Sequence, residues 1–367
     1  MPALESVVIG AGQAGLSASF HLTRRGVDHV VLDADDAPGG AWQHRWDSLT
    51  MADVHGVAAL PESGSPTAAG RANEVVPAYF AAYEREHRLP LLRPVRVDRV
   101  EPAQDDLLVV RAGSREWLTR TIVNATGTWS QPYLPYYPGA ASFAGEQLHT
   151  HDYPGPEGFR GRRVAVVGGG ASAVQLLGEL AGVMDDPERQ LLWVTRRAPV
   201  WRTDDFDREA GSAAVALVEE RVRRGLPPAS VVSVTGLALR PQEESARRLG
   251  VYDRRMPMFA SIEPTGVRWA DPSTGSGRRG AFREVDVILW ATGFRPAVTH
   301  LAPLHLRSEH GGIRLDRFGT TAVADPRVQL VGYGPSASTI GANRAGRFAA
   351  RGVAAWLDRQ LSSASSA

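Results

Sequence analysis

An α/β fold with two nucleotide-type βαβ units, one inserted in the other, is what two glycine-rich turns predict for this chain. The first turn, Gly10-Ala11-Gly12-Gln13-Ala14-Gly15, follows the apolar run Ser6 to Ile9 and opens a helical run, Leu16 to Arg25, that Gly26 stops. The second, Gly168-Gly169-Gly170-Ala171-Ser172-Ala173, lies between Val164–Val167 and a helical run ending near Gly182. Each is followed by another apolar strand, His29 to Leu32 and Leu191 to Thr195. Strand, glycine turn, helix and second strand make a parallel crossover, so two Rossmann-like dinucleotide-binding domains are expected.

Composition narrows the function classes. With 367 residues the chain exceeds one ordinary domain, and 43% apolar with 22% charged residues is globular in character. A formal charge of +1 offers no basic face, so neither nucleic acid nor a membrane surface is expected as a partner. The absence of Cys removes disulfides, thiolate nucleophiles and Cys-ligated metals. His44, His55 and His151 match no ligand spacing, so no metal is expected. Glu5 precedes a first apolar run of only three residues, which predicts no export signal and a cytoplasmic location. Val164 to Met184 has membrane-spanning length, but its glycines, Ser172 and Gln175 read as strand, turn and buried helix.

Between the two units, Val95–Val100, Leu107–Arg111 and Glu116–Val123 alternate as antiparallel strands, and Pro132, Pro135, Pro138 and Gly139 form a stiff connector. Residues 204–249 read as mostly helical, broken at Pro227-Pro228 and Arg240-Pro241. Residues 266–283 read as a hairpin with a Ser/Gly tip, 286–293 and 328–332 as buried strands, and 361–367 as a disordered tail.

The chemistry follows from the turns. Gly10 permits the tight bend, Gly12 lets backbone approach a pyrophosphate, Gly15 lets helix meet strand, and Gln13 starts the helix whose N-terminus faces the diphosphate. Asp33, 23 residues after Gly10, stands where an acid accepts ribose hydroxyls. In the second turn Gly168 and Gly170 are kept, Ala173 replaces the third glycine, and Ser172 lies at the helix start. Its second strand ends in Arg196-Arg197 instead of an acid; these bind a 2′-phosphate, selecting NADPH, or are merely solvated. Two such sites bring two redox carriers together, and a tightly held FAD in the first is the usual partner of a nicotinamide in the second.

After Asp33 the chain runs Pro38-Gly39-Gly40-Ala41-Trp42-Gln43-His44-Arg45-Trp46-Asp47-Ser48-Leu49, and further on Phe143, Gly145, His149 and Tyr153 fit the pattern FxGxxxHxxx(Tyr/Phe). Here the sequence resembles the flavin-containing monooxygenase family. The resemblance implies that Gly40, Trp42 and Arg45 belong to a second flavin-contacting loop. It also implies that Thr126 and Thr292 stand in two Ala-Thr-Gly turns where the chain crosses between domains, and that Ser338 and Thr339 open a helix toward the flavin ring. The implied division is an FAD-binding domain of residues 1–150 and 293–367 around an NADPH-binding domain of 151–292.

The implied reaction is transfer of one oxygen atom of O2 to a small S- or N-containing substrate through a flavin C4a-hydroperoxide. Tyr153, where Baeyer-Villiger relatives carry Trp, favours that class over ketone insertion. His149 and Asp53 are the candidate catalytic residues; His149 also fits a linker-holding role, and Asp53 lies in the Thr50–Val54 stretch, where the family's Asn is missing. The rivals are an NADPH-dependent reductase of a quinone-type acceptor and a non-catalytic redox-binding protein, and a homodimer stays open.

Overall fold

Val7 and Val8 are fully buried and Ile9 nearly so, as a central parallel strand covered on both faces requires. The computed structural model describes residues 2–54, 57–201, 208–228, 237, 239–271 and 280–364. Along the chain the main elements are β1 (Leu4–Ile9), α1 (Gln13–Thr23), β2 (His29–Leu32), α2 (Ala72–Glu86), β3 (Leu91–Leu92), β4 (Arg99–Pro102), β5 (Leu108–Ala112) and β6 (Arg115–Asn124). There follow β7 (Glu146–His149), β8 (Val164–Val167), α3 (Ala171–Ala181), α4 (Pro187–Gln190), β9 (Leu191–Val194), α5 (Arg208–Arg223) and α6 (Pro241–Arg248). The last are β10 (Ser261–Glu263), β11 (Gly266–Arg268), β12 (Phe282–Glu284), β13 (Val287–Trp290), β14 (Val328–Leu330) and α7 (Thr339–Ala364).

The chain packs as two units. The first comprises Met1–Ser130, Arg208–Val231 and Pro296–Ala367; the second comprises Gln131–Asp207 and Val232–Arg295. The first is built on a sheet in the order β3-β2-β1-β6-β5-β4, with β14 also paired to β6. β6 serves three partners: Arg115 to Thr119 run antiparallel to β5, and Ile122 to Asn124 lie parallel to both β1 and β14. The carboxyl ends Ile9, Leu32, Asn124 and Leu330 therefore reach one edge together, where ligands of open α/β sheets bind. α2 was not anticipated in the sequence, yet its buried Ala72, Val76, Phe80 and Tyr83 follow the helical period.

α1 and α7 approach closely because their facing residues are small. A Cβ on Gly346 would lie 2.5 Å from Ser17 Oγ and 2.7 Å from the Ala18 amide, and Ser17 Oγ donates to the Asn343 carbonyl at 3.1 Å. α7 continues to Ala364, so residues 361–364 are helical where a disordered tail was expected; 365–367 lie outside the described residues.

The second unit carries a parallel sheet in the order β7-β13-β8-β9 and an antiparallel sheet β10-β11-β12. The expected division at residue 150 falls twenty residues earlier, because β7 hydrogen-bonds to β13 in register Trp290↔His149 and so belongs to the second sheet. Equally, α5 belongs to the first unit: Val222 joins its core, and a Cβ on Gly334 would lie 2.8 Å from the Val222 side chain. The expected hairpin is the pair β11–β12, and its Ser/Gly tip lies outside the described residues, as do 204–207, 229–236 and 238 of the expected helical region. Among the described residues no helix is long and apolar enough to cross a membrane.

Gly346→Leu should overpack the α1–α7 crossing and lower unfolding stability by about 1–3 kcal/mol. Urea unfolding followed by far-UV circular dichroism measures it, and an unchanged midpoint would contradict so close a crossing.

Candidate functional site

The Gly10–Gly15 turn is shaped by what cannot fit there. Gly10 has φ +101°, and a Cβ on it would lie 2.7 Å from the Ala125 carbonyl oxygen. One on Gly15 would lie 1.9 Å from the Gly10 carbonyl oxygen. A Cβ on Gly12 would meet nothing within 4 Å, so the turn opens where α1 begins and its amides are exposed to a ligand. Gly40 brings a second loop onto this opening: its Cβ would lie 2.9 Å from Gly12 Cα.

From that loop the Arg45 guanidinium stacks on Trp129 at 4.4 Å and on Trp42 at 5.7 Å. Its Nε is buried without a hydrogen-bond partner, and no carboxylate among the described residues pairs with it. Burial pulls its pKa down to about 10, so it remains a cation at neutral pH. A desolvated cation beside an open helix start suits an anionic cofactor such as a dinucleotide. Asp33 is 5% exposed, with Oδ1 accepting from the Ala11 amide at 3.1 Å and Oδ2 accepting from Arg93 Nε at 2.8 Å.

Other expected residues in this unit hold backbone. Gln13 Nε2 donates to the Ala58 carbonyl at 2.8 Å, and Ser338 Oγ accepts from the Gly341 amide at 3.1 Å. Thr339 begins α7, but its side chain lies outside the described residues. Asp53, expected to be catalytic, accepts from the Thr50 hydroxyl at 2.5 Å and from its amide at 3.3 Å, which closes a local turn. Thr126 Oγ1 donates to the Ala297 carbonyl at 2.6 Å and accepts from Asn124 Nδ2 at 3.0 Å. Asn124 Oδ1 in turn accepts from His300 Nε2 at 2.7 Å, and burial pulls the His300 pKa down to about 4.

The second unit repeats the first turn. A Cβ on Gly168 would lie 2.2 Å from the Ala291 carbonyl oxygen, and one on Gly170 would meet nothing within 4 Å. α3 starts there, with Ser172 half-buried and Ala173 fully buried. At the end of β9, Arg196 and Arg197 are exposed and have no carboxylate partner among the described residues. A third cation joins them that sequence did not single out: Arg255 Nη1 donates to Thr195 Oγ1 at 3.2 Å and to its carbonyl at 3.3 Å. The Thr195 amide donates to the Met256 carbonyl at 3.0 Å, a long-range bridge that no local pattern announces.

His149 is 1% exposed. Its Nδ1 accepts from the His151 amide at 3.0 Å, so Nε2 carries the proton and donates to the Gly293 carbonyl at 3.0 Å. Burial holds its pKa below the usual value, keeping the ring neutral. His149 therefore positions the turn after β13, where Thr292 Oγ1 donates to the Tyr133 carbonyl. Tyr153 is buried and donates to Glu179 of α3 at 2.8 Å. Its hydroxyl thus ties the segment after β7 to α3.

Residues 7–204, more than half of the chain, match the family described as pyridine nucleotide-disulphide oxidoreductase. A solved flavin-containing monooxygenase from Stenotrophomonas maltophilia superposes with a TM-score of 0.79 at 38% identity, covering 97% of this chain and 100% of that one. The chain belongs to the flavin-containing monooxygenase family. Its family relatives include an uncharacterized oxidoreductase of Bacillus velezensis, 27% identical over 54% of this chain and 60% of its own length. A Baeyer-Villiger monooxygenase of Streptomyces coelicolor is 32% identical over 60% of this chain and 44% of its own length. This family member spans only about half to 60% of the length of the first curated relatives it matches.

Replacing Arg196 and Arg197 by Ala should raise the NADPH dissociation constant about ten- to a hundredfold and leave NADH nearly unaffected, because only the phosphorylated ribose loses charge-assisted bonds. Arg255→Gln should follow the same pattern more weakly; equal losses for both cofactors in fluorescence titrations would make these arginines structural. His300 gives a separate expectation. Its folded pKa of about 4 lies below the unfolded 6.5, so the unfolded chain binds the extra proton as pH falls between those values. Stability should be full above pH ~6.5 and fall by at most about 3 kcal/mol toward pH ~4. Denaturation of His300→Gln across that window should show a flatter slope than the parent.

Proposed function

We propose that the chain is an FAD-dependent, NADPH-using monooxygenase that transfers one oxygen atom of O2 to a small organic substrate and releases the other as water. The observation that carries this is the repeated turn: two helix starts open to a diphosphate, one ending its second strand in an acid and the other in arginines. FAD fits the first, where Gly10, Gly12, Gly15, Gly40, Trp42, Arg45 and Thr126 line or support the opening and Asp33 takes the ribose. NADPH fits the second, on Gly168, Gly170, Ser172 and Ala173, with Arg196 and Arg197 on the 2′-phosphate. Bound there, FAD and NADPH would supply the hydride transfer and the electrons needed to activate O2. The residues of the chain bind, orient and exclude water.

A soft nucleophile, a thioether or an amine, is the substrate class put first. Such a substrate needs no protein acid or base, and the two residues expected to serve hold local structure: Asp53 accepts from the Thr50 hydroxyl and amide, and His149 donates to the Gly293 carbonyl. Ketone insertion is the second reading, supported by the 32% identical Streptomyces relative.

Aerobic incubation with NADPH and a sulfide, an amine and a ketone should give an oxygenated product from one class, with NADPH consumed in proportion. If every substrate yields only hydrogen peroxide equal to the NADPH consumed, while a quinone is reduced rapidly, the protein is a reductase.

A further inference from the structure

The acid at the end of β2 is not a lone carboxylate. Arg93, which follows β3, donates through Nε to Asp33 Oδ2 at 2.8 Å and through Nη1 and Nη2 to the two oxygens of Glu84 at 3.0 Å each. All three side chains are nearly buried: 12% exposed for Arg93, 7% for Asp33 and 12% for Glu84. Glu84 comes from α2 and Arg93 lies 60 residues beyond Asp33, so the fold assembles the group from three separate stretches. Two carboxylates share one guanidinium, and the remaining negative charge stands beside the Ala11 amide at the head of α1.

We propose that Arg93 is the positioning residue for the ribose-binding acid: it fixes the Asp33 carboxylate against the Ala11 amide, and Glu84 fixes Arg93. The inference rests on the reading of the first turn as an FAD site. Asp33 is anchored on both oxygens by groups that leave further lone pairs free, so the ribose hydroxyls meet a carboxylate already oriented and already desolvated. Burial pushes the Asp33 carboxyl above its usual range, while the Ala11 amide and Arg93 oppose that rise and the neighbouring Asp35 adds to it. Without Arg93 the carboxyl would protonate at a higher pH, and a neutral acid is the weaker acceptor for a hydroxyl.

Apoprotein titrated with FAD from pH 5.5 to 8, read by quenching of flavin fluorescence, tests this. Arg93→Met should weaken FAD roughly tenfold at pH 7 and progressively more as pH falls, Arg93→Lys should recover most of the affinity, and Glu84→Gln should fall between. Asp33→Asn removes the group that Arg93 serves, so adding Arg93→Met to it should cost little further affinity. That double variant also carries no unpaired Asp33 charge and covers the case in which Arg93→Met alone fails to fold. Parent-like affinity in Arg93→Met overturns the inference, as does an equal loss at every pH or an undiminished loss in the Asp33→Asn background. A parent that takes up no FAD overturns the cofactor reading and this inference together; a parent that binds FAD normally beside an unaffected Arg93→Met overturns this inference alone.

Discussion

Two carbonyl groups pressed against two glycines set the form of both units. The Ala125 oxygen lies where a side chain on Gly10 would be, and the Ala291 oxygen lies where one on Gly168 would be. In both units the alanine amide also bonds back to the preceding strand, Ala125 to the Ile9 carbonyl and Ala291 to the Val167 carbonyl, each at 2.8 Å. The glycine turn is thus clamped between its own strand and a strand distant in sequence, which fixes where each helix starts and which amides face outward. Charged side chains stand around those starts: Asp33 and Arg45 at one, Arg196, Arg197 and Arg255 at the other. The two turns differ at their third position for a local reason, since Gly15 is overlaid by the Gly10 carbonyl while Ala173 has room for its methyl.

Much of this was legible in the sequence because it is local. The turns, the strands before them and the helices after them lie within thirty residues, and their glycines and apolar runs have few other readings. Residues that act through long-range pairing were hidden. Arg255 reaches Thr195 through a bridge to Met256, and Arg93 meets Asp33 from 60 residues away; neither sits in a motif. The limit of the first unit was misplaced because β7, Glu146-Gln147-Leu148-His149, carries only one apolar residue and gives no strand signal of its own, and only its pairing with β13 assigns it to the second sheet. Asp53 and His149 carry the right functional groups for catalysis, but a side chain's type does not reveal whether its lone pairs are already engaged by a neighbouring amide, as they are from Thr50 and His151.

The first unit is interrupted twice in sequence, and that has a consequence for how the chain is made. β6 ends at Asn124, but its parallel neighbour β14 begins at Val328, and the helix that packs on α1 comes later still. At roughly 5–20 residues per second, some 10–40 seconds of synthesis separate the two strands. During that interval the C-terminal half of β6 presents an unpaired edge, and the small-residue face of α1 has no covering helix. The second unit spans residues that have all emerged by then, so it completes its sheet while the first still waits. During synthesis the second sheet can therefore close while the first stays half-closed, and a chaperone that shields one strand edge would serve this protein more than one that binds collapsed chains at large.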